Sequence, residues 1–345
     1  MCEHCINAVF TTWQLERFCQ RFDVAPSELE ANFNGWRKHV ILSKDRVFLF
    51  PRTPQFVRDF GRELTLYEAF THVDFLPLPR LLARVKDRAI SYYEFGVVTR
   101  LRGVPFAQFI DTVSYEQFER LLLDLVELIS RWHSIPKDEL PSALPVRSGR
   151  HAKRTTVNNW HERALSPQTT EEAVDFIYRF VQRVSRPFAL PSALAQETQT
   201  KQKWVAAIAE LAHLHDVLVH ADVHEESFLV DPVTLEITGI LDWEAARISK
   251  PIWDFNFGEW GLGICRWLDS FAALRRRMWQ RYLEIKGITL ATPEGLHLFF
   301  TLWEMIWLLL KRKDHAVTEI TGTDYATAVR RYLDTLESAT TSLPY

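Results

Sequence analysis

The sequence predicts an α+β fold in two lobes, a small β-rich lobe followed by a larger helical one. Three observations carry that prediction. The chain has 345 residues, more than one ordinary small domain needs and enough for two lobes. Short β-like runs gather in the first hundred residues, whereas helical spacing dominates after Gly103-Val104-Pro105. The second half also places two aspartates, Asp222 and Asp242, after short apolar strands that follow each other closely. The boundary is expected at a connector near 98–103, giving an N-terminal lobe of residues 1–100 and a C-terminal lobe of residues 101–345.

Each element follows from local pattern. Residues 11–22 have helical spacing, with Trp13, Phe18 and Phe22 on one face. Residues 40–42 and 47–50 are strand-like and are joined by Ser43-Lys44-Asp45-Arg46, a polar turn, so they predict a hairpin. Residues 55–70 return to helical spacing through Phe56, Phe60, Leu64 and Tyr67. Two further strands are expected over 89–93 and 95–100. Helices are then expected over 115–133, 171–185, 200–215, 268–286, 295–313 and 323–338, with strand pieces at 217–220, 228–230 and 237–241. Residues 136–168, with Pro136, Pro141, Pro145 and Pro167, predict a loosely structured loop.

Composition narrows the class. Apolar residues are 47% and charged residues 25%, the balance of a globular chain with ample core. A formal charge of −3 argues against a general nucleic-acid binder, and the basic triplets 275–277 and 311–313 read as helix faces or ends. The apolar stretch 296–310 is too short to span a bilayer and holds Glu304, so no membrane partner is expected. Cys2 and Cys5 have zinc-like spacing without a second pair and read as reduced thiols. With no basic segment leading an apolar run at the start, a cytoplasmic protein is expected, as a monomer or homodimer.

The chemistry concentrates in His220-Ala221-Asp222-Val223-His224-Glu225-Glu226-Ser227 and, a short way on, Ile240-Leu241-Asp242-Trp243-Glu244. Two carboxylates at neighbouring strand ends suit phosphoryl transfer, which needs an acceptor for a hydroxyl proton and hard oxygen ligands for Mg²⁺. Either aspartate alone would read as a turn or helix cap.

Together these residues resemble the aminoglycoside phosphotransferase and choline kinase family, relatives of protein kinases. Its catalytic loop reads H-x-D-x-x-x-x-N and its metal motif [IL]-D-[WFY]-[ED], and both patterns occur here in that order. Trp132-His133-Ser134-Ile135-Pro136 and the segment Arg247 to Phe255 are similar to further family segments, as are Phe33-Asn34-Gly35-Trp36, the strand Val47 to Arg52, and Arg62-Glu63. The resemblance implies a protein-kinase-like two-lobe fold, ATP or GTP with Mg²⁺ as cofactors, and transfer of the γ-phosphoryl group to a hydroxyl of a small molecule. It also implies roles: Asp222 as the base, Asp242 and Ser227 as metal ligands, and Gly35, Lys38, Glu63 and the backbone of Val98, Thr99 and Arg100 as nucleotide contacts. His220 is expected to brace the loop, and Asp254 to hydrogen-bond it.

Two departures stand out. Ser227 takes the place of the family's metal-binding Asn, with Glu225 or Glu226 as alternative donors, and Leu49 takes the place of its third-strand Lys or Arg. Side chains alternate along a strand, so Lys38 shares a face with Val40 and can place its ammonium near the phosphates with Glu63 as partner; Arg52 is the weaker substitute. Candidate acceptor contacts are Glu244, Glu259, Trp260, Trp303, Glu304 and Asp314, whose acids suggest a cationic acceptor such as an antibiotic. A pseudokinase without turnover and a kinase for choline, homoserine or a sugar are the alternatives.

Overall fold

The computed structural model describes residues 9–32, 37–146, 154–188, 190–256, 264–310 and 324–344. The chain forms two compact units. The first takes Met1–Phe106, Pro136–Leu144 and Glu226–Ala246, and the second Ala107–Ile135, Pro145–Glu225 and Arg247–Tyr345. The smaller unit is therefore not one continuous N-terminal stretch. It also recruits the segment that carries Ser227 and Asp242.

In the first unit, helix α1 (Thr12–Phe22) starts at a capping box in which Thr11 and Gln14 bond each other's backbone N–H. It ends at Asp23 in the left-handed region, φ 51°. Strands β1 (Glu30–Asn32), β2 (Lys38–Leu42), β3 (Arg46–Pro51), β4 (Leu81–Val85) and β5 (Phe95–Thr99) form an antiparallel sheet in the order β1-β2-β3-β5-β4. The expected hairpin is present, with Leu42 opposite Val47. One face of the sheet buries Ile41, Phe48, Phe50, Phe95 and Val97 against Phe10 and Phe18, and the Phe18 and Phe48 rings meet at 4.7 Å. Trp13 does not share that face. It is 60% exposed, because five residues along a helix turn it about 140° away from Phe18.

Helix α2 (Val57–Ala69) buries Phe60, Glu63, Leu64 and Tyr67. Leu64 fits against Gly96 of β5, where an added Cβ would lie 2.4 Å from its Cδ2. The strand expected over 89–93 is instead a turn. The Asp87 carbonyl accepts the N–H groups of Ile90 and Ser91, and its side chain accepts that of Ala89. Ile90 is buried in the core from that turn, which is why its neighbourhood reads as strand. Strand β4, unexpected from sequence, follows the Pro77 and Pro79 connector directly. A three-stranded antiparallel sheet of β6 (Val104–Pro105), β8 (Phe228–Val230) and β9 (Ile237–Ile240), in the order β6-β8-β9, completes this unit. Gly103 precedes it at φ +100°, and a Cβ there would meet Thr238 Oγ1 at 2.3 Å.

The second unit is mostly helical: α3 (Tyr115–Trp132), α4 (Trp160–Ala164), α5 (Thr170–Ser185), α6 (Ser192–Ala195), α7 (Glu197–His213), α8 (Ile264–Lys286), α9 (Gly295–Leu310) and α10 (Tyr325–Thr341). Helix α3 starts at a Ser114–Gln117 capping box and turns its buried side, including Leu122, Leu125 and Ile129, toward α8. The short antiparallel pair β7 (Val217–Val219) and β10 (Arg247–Ser249) frames a loop that begins at His220. No described helix is long and apolar enough to cross a membrane.

Candidate functional site

In the first unit the site is built around Lys38. It opens β2, is only 8% exposed, and shares with Val40 the face turned to α2, as strand alternation requires. Its Nζ lies 2.7 and 2.6 Å from the two carboxylate oxygens of Glu63 and 2.7 Å from Asp242 Oδ1. Glu244 Oε2 stands 3.9 Å away. Burial disfavours the ammonium, yet the charges of Asp242, Glu63 and Glu244 outweigh it and hold Lys38 protonated above the usual lysine range. Tyr67 Oη donates to Glu63 Oε1 at 2.9 Å, a support that no sequence signal marks. Arg52 lies just past β3 beside His39, on the other face, and its charge adds to burial in lowering the His39 pKa.

Asp242 and Ser227 stand at neighbouring strand ends, where Leu241 N donates to Ser227 O at 2.7 Å. Asp242 has φ 67° and caps the short helical turn Trp243–Ala245. A non-glycine residue in that region costs about 1–2 kcal/mol, which the surrounding pairing must offset. Glu244 is buried. Arg37 Nε lies 3.3 Å from its Oε1, and Arg62 donates to its carbonyl at 3.3 Å. Burial pushes the Glu244 carboxyl up to about 7; Lys38 opposes the rise, and Asp242 and Glu63 add to it. Its Oε2 is buried without a hydrogen-bond partner among the described residues. Glu63, Asp242 and Glu244 each offer an oxygen within 4.8 Å of the others. Such an all-oxygen donor set fits a hard divalent cation such as Mg²⁺.

The backbone expected to face the nucleobase is partly committed. Thr99 N donates to Arg80 O and Arg100 N to Asp45 O, each at 2.9 Å. An N–H has one proton, so these two donors serve the unit's own structure, and Val98 lies buried in the sheet opposite Val47.

In the second unit, the loop after β7 carries His220, Ala221 and Asp222. Asp254 holds it. Its carboxylate accepts the N–H of His220 at 3.0 Å and of Ala221 at 2.7 Å, together with Trp132 Nε1 at 2.7 Å and His133 Nε2 at 2.9 Å. Burial works to raise the Asp254 pKa, but these donors, His133 first, hold it below the usual range. Since the carboxylate only accepts, His133 Nε2 carries the proton and Nδ1 accepts from Tyr282 Oη at 3.0 Å. Burial lowers the His133 pKa, in keeping with a neutral ring. Ala221 sits at φ 66°, and His220 braces the loop through Nδ1, which accepts Asp222 N at 3.3 Å. Asp222 itself is partly exposed. Tyr282, far along the chain on α8, is a member of this network that sequence spacing did not reveal.

Two expected acceptor contacts are otherwise engaged. Glu304 pairs with buried Arg275 at 2.8 Å and so offers no unbalanced negative charge to a cationic acceptor, and Glu244 pairs with Arg37 at 3.3 Å. Trp303 packs in an aromatic cluster, 4.4 Å from the His161 ring and 5.5 Å from Trp253. Gly35, Glu259, Trp260 and Asp314 lie outside the described residues.

Comparisons with known proteins place the chain as a whole. The model of the phosphotransferase enzyme family matches residues 30–297. Among solved structures, the GDP complex of aminoglycoside 2'-phosphotransferase-IIIa is 18% identical with a TM-score of 0.58, covering 96% of this chain and 99% of that one. ADP-bound aminoglycoside phosphotransferase APH(2'')-Ib is 14% identical, TM-score 0.54, with coverage of 96% and 99%. The macrolide 2'-phosphotransferase MphH from Brachybacterium faecium is 17% identical, TM-score 0.53, with the same coverage. No curated protein sequence matches. The fold is thus the α+β, kinase-like fold of these phosphotransferases. Because the family match runs through β2, α2, the loop at Asp222 and the turn at Asp242, the chain belongs to the phosphotransferase enzyme family and is a phosphotransferase.

Proposed function

We propose that the protein moves the γ-phosphoryl group of ATP or GTP onto a hydroxyl of a small-molecule acceptor, with Asp222 as base and Asp242 as the principal Mg²⁺ ligand. One observation carries this reading: a buried lysine amid three converging carboxylates, the pairing of cation and hard-oxygen donors that a metal–nucleotide requires. Support for Asp222 comes from the family match and from Asp254, which fixes the backbone on which Asp222 sits. A bound Mg²⁺ would supply charge neutralisation to the phosphates at these carboxylates. The acceptor oxygen bonds to the γ-phosphorus, the bond to the β–γ bridging oxygen breaks, and the hydroxyl proton passes to the Asp222 carboxylate. Nucleoside diphosphate leaves.

Asp242 and Glu244 would hold the metal, with Glu63 kept as the partner of Lys38, and Ser227 stands at the adjoining strand end. The pairing of Glu304 with Arg275 favours testing uncharged acceptors beside cationic ones. The solved relatives named above include enzymes for aminoglycosides and for a macrolide, so both chemistries belong in the test. Purified protein with Mg²⁺ and ATP or GTP is incubated with aminoglycosides, macrolides, peptide antibiotics, nucleosides and amino alcohols. Gain of one phosphoryl group by an acceptor, read by mass, supports the proposal. Nucleotide binding with no transfer to any acceptor would favour the pseudokinase alternative.

A further inference from the structure

The third strand carries no cation at position 49. Leu49 stands where a Lys or Arg is usual, buried and opposite Gly96, the residue that makes room for Leu64 of α2. The strand register brings Val40 opposite Leu49 and Lys38 opposite Pro51. Lys38 is thus a diagonal neighbour of Leu49 on the same face, about 7–8 Å away, a span that a lysine stem can cross. All three ammonium protons have acceptors: both oxygens of Glu63 and Oδ1 of Asp242.

We propose that Lys38 has taken over phosphate binding from the third strand, and that its ion pair with Asp242 is exchanged when metal and nucleotide bind, so that the two bind interdependently. The proposal rests on the phosphotransferase reading. Its physical basis is charge. One lysine faces three carboxylates, and Arg37 on the rim pairs with Glu244 and Asp59. A nucleotide arriving alone brings more negative charge to this cluster. A metal arriving alone must share Asp242 with an ammonium. With both present, Asp242 would turn to the metal and Lys38, still an ammonium, would turn the freed N–H to a phosphate oxygen. Glu63, steadied by Tyr67, keeps the lysine in place throughout.

The test compares wild type, K38M, K38M/L49K and K38M/E63Q by calorimetric binding of ATP and GTP with and without Mg²⁺, and by Mn²⁺ binding alone followed by electron paramagnetic resonance. In K38M, metal–nucleotide affinity is expected to fall about tenfold to a hundredfold, the scale of a lost charge-assisted bond. Mn²⁺ alone is expected to bind more tightly, because its competitor for Asp242 is gone. The K38M/L49K variant, with the cation returned to the third strand, should regain part of the nucleotide affinity. K38M leaves Glu63 buried without its cation. If that variant does not fold, K38M/E63Q, which removes both charges, serves the metal–nucleotide comparison. Unchanged metal–nucleotide affinity in a folded Lys38 variant, or unchanged Mn²⁺ affinity, overturns the proposal. Wild type that binds no nucleotide even with Mg²⁺ overturns the phosphotransferase reading and the proposal with it.

Discussion

Replacing Asp254 by Asn tests how the loop that carries Asp222 is held. Oδ2 of Asp254 accepts three donors, Trp132 Nε1, His133 Nε2 and the His220 N–H, while Oδ1 accepts the Ala221 N–H. Asparagine has a single acceptor oxygen. If that oxygen serves the three donors, its NH₂ faces the Ala221 N–H, donor against donor. A buried N–H left unsatisfied costs about 1–3 kcal/mol, and the remaining three bonds lose their charge assistance, so a total near 3–5 kcal/mol is expected. Ala221, held at φ 66°, would lose the bond that offsets its strain and relax toward an ordinary conformation, carrying Asp222 with it. Scanning calorimetry should show Tm lower by about 5–10 °C at neutral pH. The sign of the pH dependence is also fixed. The folded-state pKa of Asp254 is depressed, so its stabilisation is present above the ordinary carboxylate range and is lost as pH falls through the folded value. The gap between wild type and D254N should therefore narrow in acid. An unchanged Tm at neutral pH, or a gap that does not shrink on acidification, would refute this account of the loop.

Other outcomes follow from the same geometry. Asp222→Asn should slow transfer about 10²–10⁴-fold, the usual contribution of a positioned base, while nucleotide affinity and Tm stay near wild type; near-normal kcat with the true acceptor would remove Asp222 from its role. Asp242→Ala should abolish the Mg²⁺ dependence of nucleotide binding, read by calorimetry, since it takes away the oxygen that both Lys38 and the donor set use. His297 is buried, and burial followed by the charges of Arg275 and Arg276 pushes its pKa down to about 3. A depressed histidine contributes stability that is present above its unfolded pKa and lost as pH falls. Lowering the pH from 7 to 5 should cost about 2 kcal/mol through this residue alone, and His297→Gln should flatten that part of the Tm–pH curve.

What the sequence determined by itself is what local spacing encodes. The α1 and α2 helices, the β2–β3 hairpin and most later helices were legible because a helix buries every third or fourth residue and a strand every second, whatever lies across from them. The same alternation set Lys38 on the face of α2, and two ordered motifs marked Asp222 and Asp242. Local spacing misled where burial came from a turn, as at Ile90, and where a proline connector hid the start of β4. Tertiary structure alone decided which charges meet. Lys38 joins Glu63 across 25 residues and Asp242 across 204, and Asp254 gathers donors from Trp132, His133, His220 and Ala221. It also neutralised Glu304 with Arg275. The reason is physical: an isolated carboxylate or ammonium reads the same in any sequence, and its chemistry is set by burial and by the partner that packing places about 3 Å away.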